Sequence, residues 1–240
     1  MNKFEKILKS FGVRGTLNPQ IWDNPKDPEN ASIKTEISDA LSEIAEEFLI
    51  YLGNEVFAED IVLTGSLANY NWSEYSDFDL HIVIDYDNYG KQKDAYLQLF
   101  NLKKQVFNEI HNIKIKKHDV ELYPQSLEEK HYSSGVYSIM DKKWITLPSK
   151  RAKDVDIDIL RDKSKEWLSK ISTTIKSGDN EKIKKTVDKL KEYRLSGLDK
   201  TGEFSYENLV FKFLRRSGVI EKLYRAMNKS LDKKLSLENE

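Results

Sequence analysis

Asp77 and Asp79 are the residues whose type and spacing most directly suggest chemistry. They stand two positions apart at the start of an alternating run that ends at Asp85, in which the apolar residues have the other parity. Alternation of this kind predicts a half-buried strand, because successive side chains of a strand point to opposite faces. The two carboxylates are therefore expected side by side on the exposed face, where such a pair can bind one divalent cation or two cations about 3.5–4 Å apart.

Gly65 and Ser66 follow an apolar run, residues 61–63, which predicts a second strand. A glycine at the end of a strand lets the backbone approach a phosphate closely. If a helix begins there, its first N–H groups face an anion with the favourable end of the helix dipole. The Ser66 hydroxyl adds another donor, so both residues are expected to hold the terminal phosphates of a nucleotide.

The segments Gly65-Ser66 and Ser76-Asp77-Phe78-Asp79 together resemble the signature of the polymerase-β-type nucleotidyltransferase superfamily. Their spacing is similar to that of the minimal nucleotidyltransferases. The chain departs from that group at Asn69-Tyr70, where the minimal enzymes usually carry Arg-Gly. With the surrounding strand–helix–strand pattern, the resemblance extends to roughly residues 33–150.

The resemblance implies a metal-dependent enzyme that moves a nucleoside monophosphate from an NTP to an acceptor hydroxyl and releases pyrophosphate. It implies Mg²⁺ or Mn²⁺, as two ions, at Asp77 and Asp79. It also implies an NTP, with ATP favoured, at Gly65, Ser66 and Ser76. The acceptor stays open between a small molecule, a protein and an RNA.

Superfamily members carry a third carboxylate on the strand next to the Asp-x-Asp strand, which helps hold the metal and can act as base for the acceptor hydroxyl. In this chain a third strand is predicted over residues 116–123, ended by Pro124. Asp119 and Glu121 both qualify, because a period of two puts them on one face. The sequence does not choose between them, and both are expected among the catalytic and metal-binding residues.

Each part of the motif also has a purely structural explanation. An isolated Asp-x-Asp is most often a solvated strand face, and an isolated Gly-Ser is most often a turn. The same fold could also serve as a catalytically inactive nucleotide-binding scaffold, or as the antitoxin half of a toxin pair. A scaffold is expected to lose at least one motif residue, and a chain of 240 residues with its own helical domain looks too self-contained for an antitoxin.

The rest of the chain predicts an α+β protein: a small mixed, nucleotidyltransferase-like sheet flanked by helices, followed by a C-terminal helical bundle. Three segments are expected: an N-terminal helix and irregular arm (1–32), the catalytic domain (33–150) and the helical domain (151–240). Within the catalytic domain, helices are predicted over 33–52 and 91–111. The second is expected to bury a stripe made of Tyr96, Leu99, Phe100, Val106, Phe107 and Ile110.

The C-terminal segment contains one helical pattern after another and no proline after Asp154. A loop is predicted between Gly197 and Gly202, and a frayed charged tail from Lys229. Lys212 and Arg216 belong to one of these helices. They are candidates for binding the triphosphate, although a solvated basic helix face is the default interpretation.

Composition limits the classes of partner. Net charge is −1, so the chain lacks the basic footprint of a domain that binds duplex DNA. It contains no cysteine, which excludes disulfides and thiolate zinc sites and suits a reducing cytoplasm. No run of 18 apolar residues and no signal-peptide apolar region are present, so a cytoplasmic protein without a membrane partner is expected.

Overall fold

The computed structural model describes residues 2–53, 55–131, 133–149 and 155–236. The chain is mixed α+β, which confirms the predicted class at that level. In the described ranges the strands are β1 Trp22–Asp23, β2 Ser32–Ile33, β3 Asp60–Thr64, β4 Phe78–Ile84, β5 Lys114–Ile115, β6 His118–Ser126, β7 Val136–Ser138 and β8 Lys143–Thr146. The α-helices there are α1 Lys3–Lys9, α2 Thr35–Leu52, α3 Lys93–Ile110, α4 Ile157–Ser177, α5 Asn180–Thr201, α6 Tyr206–Ser217 and α7 Val219–Leu235.

The chain forms two compact units, and they divide it differently from the three predicted segments. One unit combines Met1–Gly12 with Ala152–Glu240, and the other spans Val13–Arg151. The N-terminal helix α1 therefore belongs with the C-terminal helices. The irregular arm that follows it belongs with the sheet.

The larger unit is built on a mixed sheet in the order β5-β6-β4-β3-β7-β8. Strand β4 pairs antiparallel with β3 and parallel with β6. The parallel pairing is possible because α3 carries the chain back between β4 and β6. Strand β4 is thus the direct neighbour both of β3, which leads into Gly65, and of β6, which carries the predicted third carboxylate.

One face of the sheet forms the core of this unit. Phe78, Leu80, Ile82 and Ile84 of β4 are buried in one cluster with the apolar stripe of α2 and with Phe100 of α3. The opposite parity of β4 begins with the half-buried polar residues Asp79 and His81 and then continues with Val83, which is buried in a small second cluster with Val62 and Val136.

The arm also packs into this core through its tryptophan. Trp22 is 1% exposed, lies 4.6 Å from the ring of Trp144 in a stacked arrangement, and donates from Nε1 to the Leu67 carbonyl. Trp22 therefore anchors the arm by packing.

Two predictions for these elements are wrong in detail. Strand β6 does not end at Pro124 but runs to Ser126. This is possible because β5 covers only the beginning of β6, so Pro124 lies on an edge that needs no N–H donor. On α3 the predicted stripe is only partly buried: Phe100 and Phe107 are buried as expected, whereas Leu99, Val106 and Ile110 are 42%, 47% and 63% exposed.

The helical unit has capping residues at its helix ends. Asp156, Asp179 and Ser205 accept backbone N–H bonds as N-caps of α4, α5 and α6. Gly178 and Gly218 adopt the left-handed conformation at the C-caps of α4 and α6.

Two predictions for the helical unit are corrected. Helix α5 continues through Gly197, so no loop separates Gly197 from Gly202. Helix α7 continues through Lys229 to Leu235 and is not a frayed tail over that range, and residues 237–240 lie outside the described part. In the ranges that the structure describes, no helix combines the length and apolar character needed to cross a membrane.

Candidate functional site

Asp79 occupies the middle of a row of three residues across the sheet. Its β3 neighbour is Thr64 and its β6 neighbour is Glu121. Gly65 and Ser66 follow Thr64 directly, so the register alone brings the predicted phosphate-binding turn beside the second aspartate. Asp77 lies one residue before β4 and is half-buried.

The contact between Gly65 and Asp79 is closer than the register requires. Gly65 has a φ of +73°, a conformation that favours glycine. A Cβ atom on Gly65 would lie 1.7 Å from Oδ2 of Asp79. The Asp79 carboxylate thus occupies the space that any side chain on Gly65 would need, and the two halves of the motif fit together only because one of them is glycine.

The two motif serines are joined by a hydrogen bond. Ser66 Oγ donates to Ser76 Oγ at 2.8 Å, and the same Ser76 oxygen accepts the Ser73 N–H at 2.9 Å. Both side chains are nearly buried. The turn after β3 is therefore tied to the loop that delivers Asp77 into β4.

The helix expected after Gly65 is shorter than the sequence suggested. It is a single 3-10 turn, Ser66–Ala68. A turn of this length offers little macrodipole, so anion binding at this position depends on individual N–H and O–H donors.

Asn69, the departure from the minimal nucleotidyltransferase pattern, has a clear structural role. It is 1% exposed, and its Nδ2 donates to the Gly65 carbonyl at 2.9 Å and to Ser133 Oγ at 2.7 Å. Its Oδ1 accepts from Ser134 Oγ at 2.7 Å. A Cβ on Gly135 would lie 2.1 Å from the Ala68 carbonyl oxygen, so this loop lies directly against the turn.

The structure distinguishes the two candidates for the third carboxylate. Glu121 is the direct β6 neighbour of Asp79. Asp119 instead forms an ion pair with Lys114 of β5. Both side chains are exposed. Since Glu121 is the one in register with Asp79, it is the better candidate.

Lys104 of α3 is a charged neighbour that sequence reasoning missed. Its ammonium lies 4.4 Å from the ring centroid of Tyr123. Burial lowers the pKa of Lys104, against the opposing effect of the Glu121 and Glu129 charges. A cation therefore lies near Glu121. It comes from α3, and no sequence pattern links this helix position to the motif.

His81 shares the face of Asp79 two residues farther along β4. Its Nδ1 lies 2.6 Å from Gln125 Oε1, and because an amide oxygen only accepts, Nδ1 carries the proton. Burial lowers the pKa of His81 to about 4, and the charges of His131 and Lys104 add to that effect. His81 is thus a neutral, hydrogen-bonded sheet histidine.

His118, which the sequence did not single out, is the histidine that contacts the motif. It is 7% exposed, and its Nδ1 lies 2.6 Å from the carbonyl oxygen of Ser76. No spacing rule identifies this contact, because it depends on the parallel register of β6 against β4.

Lys212 and Arg216 lie on α6 of the helical unit. The guanidinium of Arg216 donates to Ser10 Oγ at 2.7 Å and lies 4.4 Å from the ring centroid of Phe11. Arg216 therefore has a packing role within its own unit. The motif residues Gly65, Ser66, Ser76, Asp77 and Asp79, by contrast, all belong to the other unit.

The carboxylates were also tested as a metal site. Among the described residues, no group of three His, Asp or Glu side chains is arranged to hold a metal ion together. Mg²⁺ does not require such a group, because it is commonly bound by one or two carboxylates while substrate phosphates and water complete its shell. The Asp79 carboxylate, with the close Gly65 backbone beside it and Asp77 two residues before it, fits that mode of binding.

In comparisons with known proteins, no family model, no curated protein and no solved structure matches the chain.

Proposed function

We propose that the chain is a metal-dependent nucleotidyltransferase with a nucleotidyltransferase-like fold in its sheet-containing unit. The observation that carries the proposal is the contact between the Gly65 backbone and the Asp79 carboxylate, with Glu121 as the next residue across the sheet. This arrangement puts a close-approach backbone turn and hard oxygen donors at one place. Those two features are what binding of a nucleoside triphosphate with Mg²⁺ requires.

In this proposal the turn and the strand have different tasks. Gly65 and Ser66 hold the β- and γ-phosphates. The Ser66 hydroxyl can donate to a phosphate oxygen while its oxygen accepts from the Ser76 hydroxyl instead, since hydroxyl hydrogens rotate freely and the bond between the serines is kept. Asp77 and Asp79 would hold Mg²⁺ or Mn²⁺, and substrate phosphates and water would complete the shell. When bound, the metal supplies positive charge against the charge that develops on the transferred phosphoryl group.

The chain's own residues contribute positioning and proton handling. The Ser66–Ser76 hydrogen bond fixes the phosphate turn relative to the carboxylates. Glu121, exposed and acidic, is the group proposed to accept the proton of the acceptor hydroxyl. Much of the rate enhancement would come from holding the α-phosphate and the acceptor in line.

The direct test is transfer of label from α-labelled NTPs. Wild type is compared with an Asp77→Ala, Asp79→Ala double variant and with Asp94→Ala, which removes an exposed carboxylate of α3. Reactions contain Mg²⁺ or Mn²⁺ and, in turn, total RNA, a protein lysate and a small-molecule pool. Label in a product of wild type and Asp94→Ala, but not of the double variant, supports the proposal, and the labelled pool gives the acceptor class.

The opposite outcome favours the inactive scaffold. If no label moves in any pool, and ATP with Mg²⁺ leaves the melting temperature of wild type unchanged, the assignment of Asp77 and Asp79 to a metal is wrong. If ATP raises the melting temperature with metal but no label moves, the protein binds nucleotide without catalysing transfer to the acceptors supplied.

A further inference from the structure

Ser76 is held from two directions at once. Its hydroxyl oxygen accepts from Ser66 and from the Ser73 N–H, and its carbonyl oxygen lies 2.6 Å from Nδ1 of His118. Ser66 belongs to the turn after β3, and Ser73 belongs to the loop that precedes β4. His118 is the first residue of β6, a strand reached only after α3.

The direction of the His118 hydrogen bond follows from the chemistry of its partner. A backbone carbonyl only accepts, so Nδ1 of His118 carries the hydrogen. The imidazole is 7% exposed and meets the ring of Phe78 edge-on at 6.1 Å between centroids. Burial excludes most competing water, and the aromatic contact restricts the ring, so the donor has one fixed orientation.

This bond acts on Asp77 through the peptide between the two residues. The Ser76 carbonyl is part of the planar peptide unit that also contains the N–H of Asp77. Fixing that oxygen therefore fixes the orientation of the peptide plane in which the Cα of Asp77 lies. Without it, Ser76 would be held only by its side chain and by its own N–H, which donates to the Ser73 carbonyl at 3.0 Å, and its carbonyl would lose this partner.

We infer that His118 is a positioning residue: its Nδ1–H holds the Ser76 carbonyl and thereby sets the place of the Asp77 carboxylate. The inference deepens the proposed function and rests on it. It assigns His118 no contact with nucleotide or metal. Its effect should be on the efficiency of transfer, because a displacement of about 1 Å near reacting groups can cost on the order of 100-fold in rate.

Two substitutions of similar polarity separate positioning from packing. In His118→Asn the amide nitrogen Nδ2 lies one bond beyond Cγ, where Nδ1 of histidine lies, so the bond to Ser76 can form. In His118→Gln the amide nitrogen corresponds to Nε2 instead, and the bond is lost. Glutamine is closer to histidine in volume, so a pure packing role predicts that Gln is the milder change.

The experiment measures transfer by both variants against wild type, together with melting temperature with and without Mn²⁺ and ATP. We expect His118→Asn to keep transfer within about 3-fold of wild type and His118→Gln to lose about 10-fold to 100-fold in kcat. The KM for ATP should change little, because the phosphate turn is intact. Stabilisation by Mn²⁺ with ATP should likewise change little, because it reports binding and not transfer.

A readout independent of activity is the tautomer of His118 in the wild-type protein, observed through its ring nitrogens by NMR. Protonated Nδ1 is expected, and a neutral ring protonated only at Nε2 overturns the inference. Equal transfer by the two variants, or better transfer by Gln, also overturns it while leaving the proposed function intact. A wild type that neither transfers label nor is stabilised by Mn²⁺ with ATP overturns both.

Discussion

Oδ2 of Asp79 lies where a side chain on Gly65 would begin: an added Cβ would be 1.7 Å away. The two residues come from adjacent antiparallel strands, with Gly65 just past the end of β3 and Asp79 in β4. The close approach requires glycine at position 65 for two reasons: a side chain would have no space, and φ is +73°. The turn and the carboxylate are thus one structural unit, and this gives the motif a physical basis independent of any resemblance.

Gly65→Ala should therefore abolish the site. The added methyl group must push Asp79 away and adopt an unfavourable φ, which costs on the order of 1–3 kcal/mol from the backbone alone. We expect transfer, and stabilisation by ATP with Mg²⁺, to be lost. Gly90→Ala is the matched control, since Gly90 also has a positive φ but open space around it. It should lose stability by urea denaturation and keep nucleotide binding; loss of binding in both variants would contradict the role assigned to Gly65.

The sequence predicts the centre of the sheet well and its edges poorly. The alternation of β4 and the helical period of α2 are local patterns, and both elements lie within two residues of the predicted bounds. The extension of β6 past Pro124 is possible because β5 pairs only with His118 and Asp119, and this short pairing is not evident from the sequence of β6. Likewise the period of α3 groups Leu99 with Phe100, but only the packed structure shows how wide a stripe its partners cover.

The same limit applies to the candidate site. The motif residues were identifiable because they are close in sequence. His118, Lys104 and the loop at Ser133 were not, since each reaches the motif through strand register or a helix crossing. The choice of Glu121 over Asp119 likewise needed the parallel register of β4 and β6.

Asn69 should control how firmly the turn holds a nucleotide. Asn69→Asp is nearly isosteric but loses the donor to the Gly65 carbonyl and to Ser133, and it places a negative charge beside a phosphate-binding turn. We expect the KM for ATP to rise at least about 10-fold and the unfolding free energy to fall by about 1–3 kcal/mol. Ser134→Ala, which removes only the bond to Oδ1, should have a smaller effect on both. An unchanged KM in Asn69→Asp would show that the loop contact is unrelated to binding.

Folding stability should depend on the protonation of His81. Its pKa is about 4 in the folded protein, against about 6.5 in the unfolded chain. Between these values the unfolded state binds a proton that the folded state does not, so the unfolding free energy should fall as the pH drops through this window. The loss approaches 3 kcal/mol in order of magnitude, because one pKa unit corresponds to about 1.4 kcal/mol.

His81→Gln removes this titration and leaves the other acidic and basic groups in place. The unfolding free energies of wild type and variant are measured by urea denaturation at each pH, without added metal. Plotted against pH, the two curves should converge as the pH falls from about 6.5 to about 4. Curves that stay parallel across the window would show that His81 is not held neutral by burial.

Glu121 and Asp119 should differ sharply when each is made neutral. Glu121 is in register with Asp79, whereas Asp119 is engaged with Lys114 in an exposed ion pair, an interaction worth about 0–1 kcal/mol. Glu121→Gln should reduce kcat about 100-fold or more, the scale for losing a group that acts on the transition state. Asp119→Asn should reduce it by less than about 3-fold, and Lys114→Ala should match Asp119→Asn if the ion pair is the whole of its role. A larger loss of kcat in Asp119→Asn than in Glu121→Gln would reverse the assignment. The third carboxylate would then be Asp119, two residues before Glu121 on β6.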